Sequence, residues 1–165
     1  MTGPTENAED KKIAPRVGGA KTFRKFLHAE LMPRVKGRYR STAETAIIGE
    51  SLAGLFVVET FLLEPDLFDT YIAVDPSLWW NDQRLAADAG KRLRARPKLK
   101  KALYLAWSAE ERAPGVAQRF VDALKRDAPE GVRWRSVKMP EETHATIYHP
   151  AALRSFREVL GPTKK

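Results

Sequence analysis

The sequence predicts an α/β fold: a mostly parallel sheet of about four strands, at 45–48, 70–74, 103–107 and 132–139, flanked by helices. Three observations point there. Short apolar, β-branched or aromatic runs alternate with helical patterns of about 10 to 15 residues, the rhythm of βαβ units. The first run is too apolar for a strand wetted on one side, so it reads as buried on both faces, as parallel strands are. Polar residues capable of chemistry collect just after the runs end, where parallel sheets hold their ligands.

Taken in order, residues 1–20 are rich in Gly, Pro and charge and are expected to be a flexible N-terminal segment. Residues 21–165 then form one domain. Lys21 to Val35 places Phe23, Phe26, Leu27, Leu31 and Val35 at helical spacing, with Pro33 near the helix end. A basic loop, Gly37 to Thr42, leads to the strand at 45–48. Leu52–Glu64 is a helix that stops before Pro65. The strand at 70–74 ends in Asp75-Pro76-Ser77 and the pair Trp79-Trp80, after which Asn81 or Asp82 caps a helix reaching about Arg96. A third strand at 103–107 precedes a helix over Gly115–Arg126, with Val116, Phe120, Val121 and Leu124 turned inward. A fourth strand at 132–139 and a closing helix over Ala151–Leu160 complete the pattern. Crossovers between the strands are expected to be right-handed.

A chain of 165 residues buries a real core, about two thirds of its unfolded surface. It has no cysteine, which excludes disulfides and thiolate or zinc-thiolate chemistry. No apolar run approaches the ~20 residues of a membrane span. Met1 to Lys12 lacks the apolar core of a signal peptide, so the expected location is cytoplasmic. The net charge of +8 raises nucleic acid as a partner. The one basic cluster, Lys91 to Lys101, falls at a helix end and in the loop after it, where cations suit the helix dipole. No nucleic-acid motif accompanies it, so it reads as solvated surface.

The chemistry-bearing stretch is Ile47-Ile48-Gly49-Glu50-Ser51-Leu52-Ala53-Gly54. An apolar run ends at a glycine, a serine follows at the second step, and small residues open a helix. This is a G-x-S-x-G pattern with Ala53 at the second glycine. A serine hydroxyl is a weak nucleophile and must be held where a base can reach it. A tight strand-to-helix turn does so, and aims the first amides of the helix, Leu52 N–H foremost, at a developing negative charge. Glu50 and Leu52 flank the serine and are candidate substrate contacts. The alternative reading is a βα turn whose Ser51 caps the helix.

The partners of Ser51 are sought at the other strand ends. Asp75 and Ser77 follow the second strand, Ser108, Glu110 and Glu111 the third, and Glu141-Glu142-Thr143-His144 the fourth. Nucleophile, acid and histidine thus occur in the order serine, acid, histidine. His144 is the candidate base, because imidazole takes and returns protons near neutrality. Otherwise it is an exposed loop histidine. Glu110 is favoured as the acid that orients it, then Glu111, then Asp75, with a Ser-His pair working alone as a further option. The two glutamates could equally cap the next helix. Trp79 and Trp80 are core anchors or pocket walls. His149 begins the closing helix, and His28 on the first helix reads as exposed or partly packed.

Three stretches together, Phe26 to Arg40, Ile48 to Phe56 and Glu64 to Trp80, resemble the esterase family of α/β-hydrolases that includes enterobactin (siderophore) esterases and the esterase D or S-formylglutathione hydrolase group. The likeness runs from about Gly18 to Leu160 and takes in Glu142-Thr143-His144. It implies Ser51 as nucleophile, His144 as base, a small-molecule ester or thioester as substrate, and no cofactor or metal. Such proteins resemble full α/β-hydrolases with about four strands ahead of the elbow strand, whereas here that strand is the first. The resemblance therefore implies a truncated fold lacking the loop that supplies one oxyanion donor, a loss worth ~100- to 1,000-fold in rate. It also leaves the strand at 45–48 with an apolar edge to be covered by the N-terminal segment, a second copy in a homodimer, or a partner. A remnant of the fold retained as a binding or assembly module is the alternative function.

Overall fold

In a parallel strand buried on both faces, successive side chains feed two different cores. The computed structural model, which describes residues 2–14 and 16–160, has this arrangement. Four strands, β1 (Ala46–Glu50), β2 (Thr70–Val74), β3 (Ala102–Trp107) and β4 (Arg133–Lys138), lie side by side in chain order, all parallel. Tyr71, Ala73, Leu103, Leu105 and Trp107 face the larger core. Ile72, Val74, Tyr104 and Ala106 face the smaller one. β2 and β3 are buried throughout, and each large side chain there contributes about 1.5–3 kcal/mol by leaving water.

The larger core is closed by α4 (Ser51–Leu63), α5 (Arg84–Arg94) and α6 (Val116–Asp127). α4 has apolar side chains on all sides, as its central position requires. α5 and α6 are amphipathic and pack on each other. The smaller core is closed by α7 (Tyr148–Ser155), which continues as a π turn over Phe156–Leu160. Several cations of the 91–101 cluster are engaged locally: Arg94 with Asp127, Arg92 with Asp88, Lys101 with Asp69, and Arg96 with the Leu63 carbonyl.

The strands fall within two residues of their expected bounds, but two features differ. β1 was expected to be buried on both faces; only Gly49 is buried, because β1 ends the sheet and, among the described residues, no strand pairs with its outer edge. The first long helix also exceeds its expected span. α2 (Ala20–Phe26), a π turn (Leu27–Leu31) and α3 (Met32–Arg38) run on as one helix. Pro33 cannot donate to the carbonyl of Ala29 and would clash with it. The π turn just before it widens the helix there. Of the expected inward residues only Leu27 is buried, with Phe23 packed on Phe56; Phe26, Leu31 and Val35 are exposed.

Residues 1–20 were expected to be mobile, yet the described part is folded against the body. Asn7 caps α1 (Ala8–Ile13) by accepting from Glu9 and Asp10 N–H. Asp10 is buried and accepts hydrogen bonds from Thr5 Oγ1 at 2.8 Å and from Asn81 N–H at 2.7 Å. Asn7 donates to Asp82 at 2.7 Å. These contacts meet a stretch in which Asn81, Asp82 and Gln83 all have left-handed φ, at 48°, 53° and 62°. Each such residue costs about 1–2 kcal/mol, and the polar side chains of the N-terminal segment offset that cost. Asn81 and Asp82 therefore form this turn rather than the cap itself; Gln83 precedes α5.

Candidate active site

The end of β1 turns directly into α4 at Ser51, whose φ of 57° is left-handed. An L residue holds that conformation only under local constraint. The constraint is the close seating of α4 on the sheet. A Cβ at Gly49 would lie 2.6 Å from the Ala53 carbonyl, and one at Gly54 would lie 2.9 Å from the Val74 oxygen. Ala53 is exposed, and its methyl sits over Gly49, where the absence of a side chain leaves room for it. The turn leaves Ser51 half-buried as the first residue of α4, with Leu52 next behind it.

β2 ends one register position away. Glu50 pairs with Val74, so Ser51 and Asp75 leave the sheet at the same level. Asp75 also has left-handed φ, at 44°, and its N–H remains bonded to Ala106 in β3. Its carboxylate is almost enclosed and accepts from Ser108 Oγ at 2.8 Å, from Ser108 N–H at 3.2 Å, and pairs with His144 Nδ1 at 2.6 Å. His144, on the loop after β4, keeps 44% of its side chain exposed, against 9% for Asp75. With Nδ1 turned to the acid, Nε2 is the nitrogen left for the cavity.

Glu110, the acid favoured from sequence, lies beside His144 but meets its backbone: Oε2 accepts the His144 N–H at 3.2 Å. Glu111 accepts from Ala117 N–H at the start of α6. Asp75, ranked third, is the carboxylate on the imidazole. The reason is reach. The loop after β3 folds back over Ser108, sending Glu110 to the main chain of the 144 loop, whereas Asp75 points along the strand ends.

Ser51, Leu52, Asp75, Trp79, Glu110, Glu111 and His144 all line one cavity of about 310 Å³. Ser51 and His144 share this wall without a direct hydrogen bond; Ser51 Oγ instead sits 3.3 Å from Ser77 Oγ. The Arg112 guanidinium stacks on Trp79, 4.2 Å from the ring centroid. Trp80 and Glu50 do not line the cavity. Trp80 is buried in the larger core, and Glu50 closes β1 on the strand side of the turn. Ser77, Ser108 and Ile13 were not assigned to the site from sequence. The two serines were visible as polar residues at strand ends, but only the register shows what they face. Ile13 reaches the cavity because the N-terminal segment is folded. Among the described residues, no cluster of His, Asp and Glu is arranged to hold a metal ion, and no helix is long and apolar enough to cross a membrane.

A parallel sheet with a serine at a strand-to-helix turn and helices on both faces is an α/β-hydrolase-type fold. Residues 3–116 match the family model described as "Putative esterase", and the chain belongs to that family. It is 28% identical over 161 residues to the ferri-bacillibactin esterase BesA of Bacillus subtilis, covering 93% of this chain and 56% of that protein. It is 32% identical over 126 residues to the siderophore triacetylfusarinine C esterase of Aspergillus fumigatus, covering 68% of this chain and 42% of that one. Among solved structures, an IroE-like serine hydrolase from Shewanella oneidensis superposes with a TM-score of 0.78 at 28% identity, over 86% of this chain and 48% of the other. The BES protein from Bacillus cereus shares the fold with a TM-score of 0.81 at 21% identity, over 94% of this chain and 62% of the other. The chain thus spans about half the length of the curated relatives it matches.

Proposed function

We propose that this protein hydrolyses a carboxylic ester or thioester through Ser51, His144 and Asp75. The observation that carries the reading is the convergence of a left-handed Ser51, a His144 held by Asp75 at 2.6 Å, and Leu52 on one cavity. Ser51 Oγ attacks the substrate carbonyl carbon while His144 Nε2 takes its proton. Asp75 fixes the tautomer with the proton on Nδ1 and stabilises the imidazolium that forms. The carbonyl oxygen gains negative charge beside Leu52 N–H, at the positive end of α4. The intermediate collapses, the alcohol or thiol leaves with the proton from His144, and Ser51 keeps the acyl group. Water then attacks the acyl carbon with His144 as base, and the acid departs. Ser108 and Glu110 hold Asp75 and the His144 main chain in place.

The names of the relatives direct the choice of substrate toward siderophore esters. Hydrolysis of p-nitrophenyl acetate and labelling by a fluorophosphonate, both lost in Ser51→Ala, are the expected results. Equal rates in wild type and Ser51→Ala remove the reading. The outer edge of β1, with which no strand pairs among the described residues, favours a second one, a scaffold retained for binding or assembly without turnover. Folded wild-type protein that the fluorophosphonate leaves unlabelled selects it.

A further inference from the structure

Resting on the hydrolase reading, we propose that the Ser77 hydroxyl donates a hydrogen bond to Ser51 Oγ and stabilises the negative charge that grows there as the Ser51 proton leaves for His144. Ser77 follows Asp75 and Pro76 on the loop after β2, and it is 3% exposed. Its Oγ lies 3.3 Å from Ser51 Oγ, and its N–H donates to the Ser51 carbonyl at 3.1 Å. The two residues are thus joined twice, once by main chain and once by side chain. Among the described residues each hydroxyl has no other side-chain hydrogen-bond partner than this one. Ser77 is also a wall of the cavity that Ser51 and His144 share.

The physics turns on when this bond becomes strong. Two neutral hydroxyls at 3.3 Å interact weakly. Once Ser51 Oγ carries negative charge the same bond is charge-assisted, shorter and roughly twice as strong. Ser77 itself is closed off from water, so no solvent competes for its hydroxyl from that side. An interaction that strengthens between the ground state and the transition state speeds the reaction rather than merely tightening binding. A donating Ser77 also leaves the Ser51 proton free to point at His144. Ser77 keeps its own proton throughout and forms no covalent bond: the only transfer is from Ser51 Oγ to His144 Nε2.

The test uses the full chain, with Ser77→Ala and Ser77→Thr compared with wild type. The readouts are steady-state hydrolysis of p-nitrophenyl acetate, the rate at which a fluorophosphonate labels Ser51, and thermal melting. Loss of a hydrogen bond to a charged oxygen predicts a fall of about tenfold to a hundredfold in kcat and in labelling rate for Ser77→Ala. KM should stay within about threefold, and Ser77→Thr, which keeps the hydroxyl, should recover most of the rate. Labelling of Ser77→Ala as fast as wild type, or faster, overturns the proposal while leaving the hydrolase reading in place. So does a loss of rate that merely tracks the folded fraction seen in melting. If the threonine does not fold, the labelling rate of the folded alanine variant decides alone. A wild type that neither hydrolyses nor labels overturns the hydrolase reading, and this proposal with it.

Discussion

Replacing Asp75 with asparagine separates the two acids that compete for His144. The carboxylate makes three contacts: His144 Nδ1 at 2.6 Å, Ser108 Oγ at 2.8 Å and Ser108 N–H at 3.2 Å. An asparagine has the same shape, and with its oxygen on the Ser108 N–H its amide takes the place of the oxygen that meets both Ser108 Oγ and Nδ1. Its amide then faces Nδ1 as a donor, which favours the tautomer with the proton on Nε2, the wrong nitrogen for a base. In an enclosed triad that error costs about 10⁴-fold in kcat. Here 44% of the His144 side chain is in contact with solvent, so water can support the correct tautomer for part of the time. The hydrogen bond to a charged acceptor alone is worth roughly 10- to 100-fold. The expected fall in kcat for Asp75→Asn therefore lies between about 10²- and 10³-fold, between these two limits. Glu110→Gln keeps an oxygen for the His144 N–H and should stay within about threefold, as expected for an exposed neutral-acceptor replacement. The assay is initial-rate hydrolysis of p-nitrophenyl acetate on both variants, with circular dichroism to verify folding. Full activity in Asp75→Asn together with collapse in Glu110→Gln refutes the assignment and restores the acid favoured from sequence.

Two further outcomes concern the scaffold. Gly54→Ala places a Cβ 2.9 Å from the Val74 oxygen and 3.1 Å from both the Gly49 oxygen and Pro76 Cα, all main-chain atoms. Overpacking of about 1–3 kcal/mol exceeds the roughly 1 kcal/mol gained by alanine within a helix, so the urea midpoint should fall; an unchanged or higher midpoint contradicts the close seating of α4. Arg24→Ala removes the cation from beside Glu59, 3.6 Å away, where both side chains are largely buried. Burial already pushes the Glu59 carboxyl up and Arg24 opposes it, so the variant raises it further. A raised carboxyl stabilises the fold at low pH and loses that contribution as pH climbs through its folded value. The deficit, about 3 kcal/mol near neutrality, should therefore be smaller at pH 5 than at pH 8 in urea titrations. A deficit independent of pH argues against an uncompensated Glu59.

The parts of the fold legible in the sequence were those set by local pattern. Thr70–Val74 and Ala102–Trp107 are short runs dominated by apolar and aromatic residues, and that local pattern is what marked them as strands. Ser51 was legible because the turn from β1 into α4 needs small residues at fixed steps around it. What local pattern could not show was competition between distant partners. β1 reads like β2 in composition, but its place at the end of the sheet leaves its isoleucines only partly covered. The polar, glycine-rich start reads as mobile, since nothing local reveals that Asp10 will meet the Asn81 amide across 71 positions of chain. The three consecutive left-handed residues at 81–83 were hidden for the same reason.

The carboxylate that meets His144 was ranked third from sequence, behind Glu110 and Glu111, and the strand register shows why it is the one in reach. With Glu50 opposite Val74 and Val74 opposite Ala106, the residues that leave the sheet together are Ser51 from β1 and Asp75 from β2, with β3 running on through Trp107 to Ser108. A carboxylate one residue past the end of β2 is thus level with the serine and within reach of the loop after β4. Glu110 is three residues beyond the end of β3, and its chain has already turned back through Ser108. Adjacency in the sheet therefore favours the second strand for the acid, while position along the chain favours the third. Ser77 follows from the same geometry: two residues past Asp75, its own N–H returns to the Ser51 carbonyl. The loop after β2 thus brings a carboxylate to His144 and a hydroxyl to Ser51 from one short segment, so a shift of that loop would disturb both contacts at once.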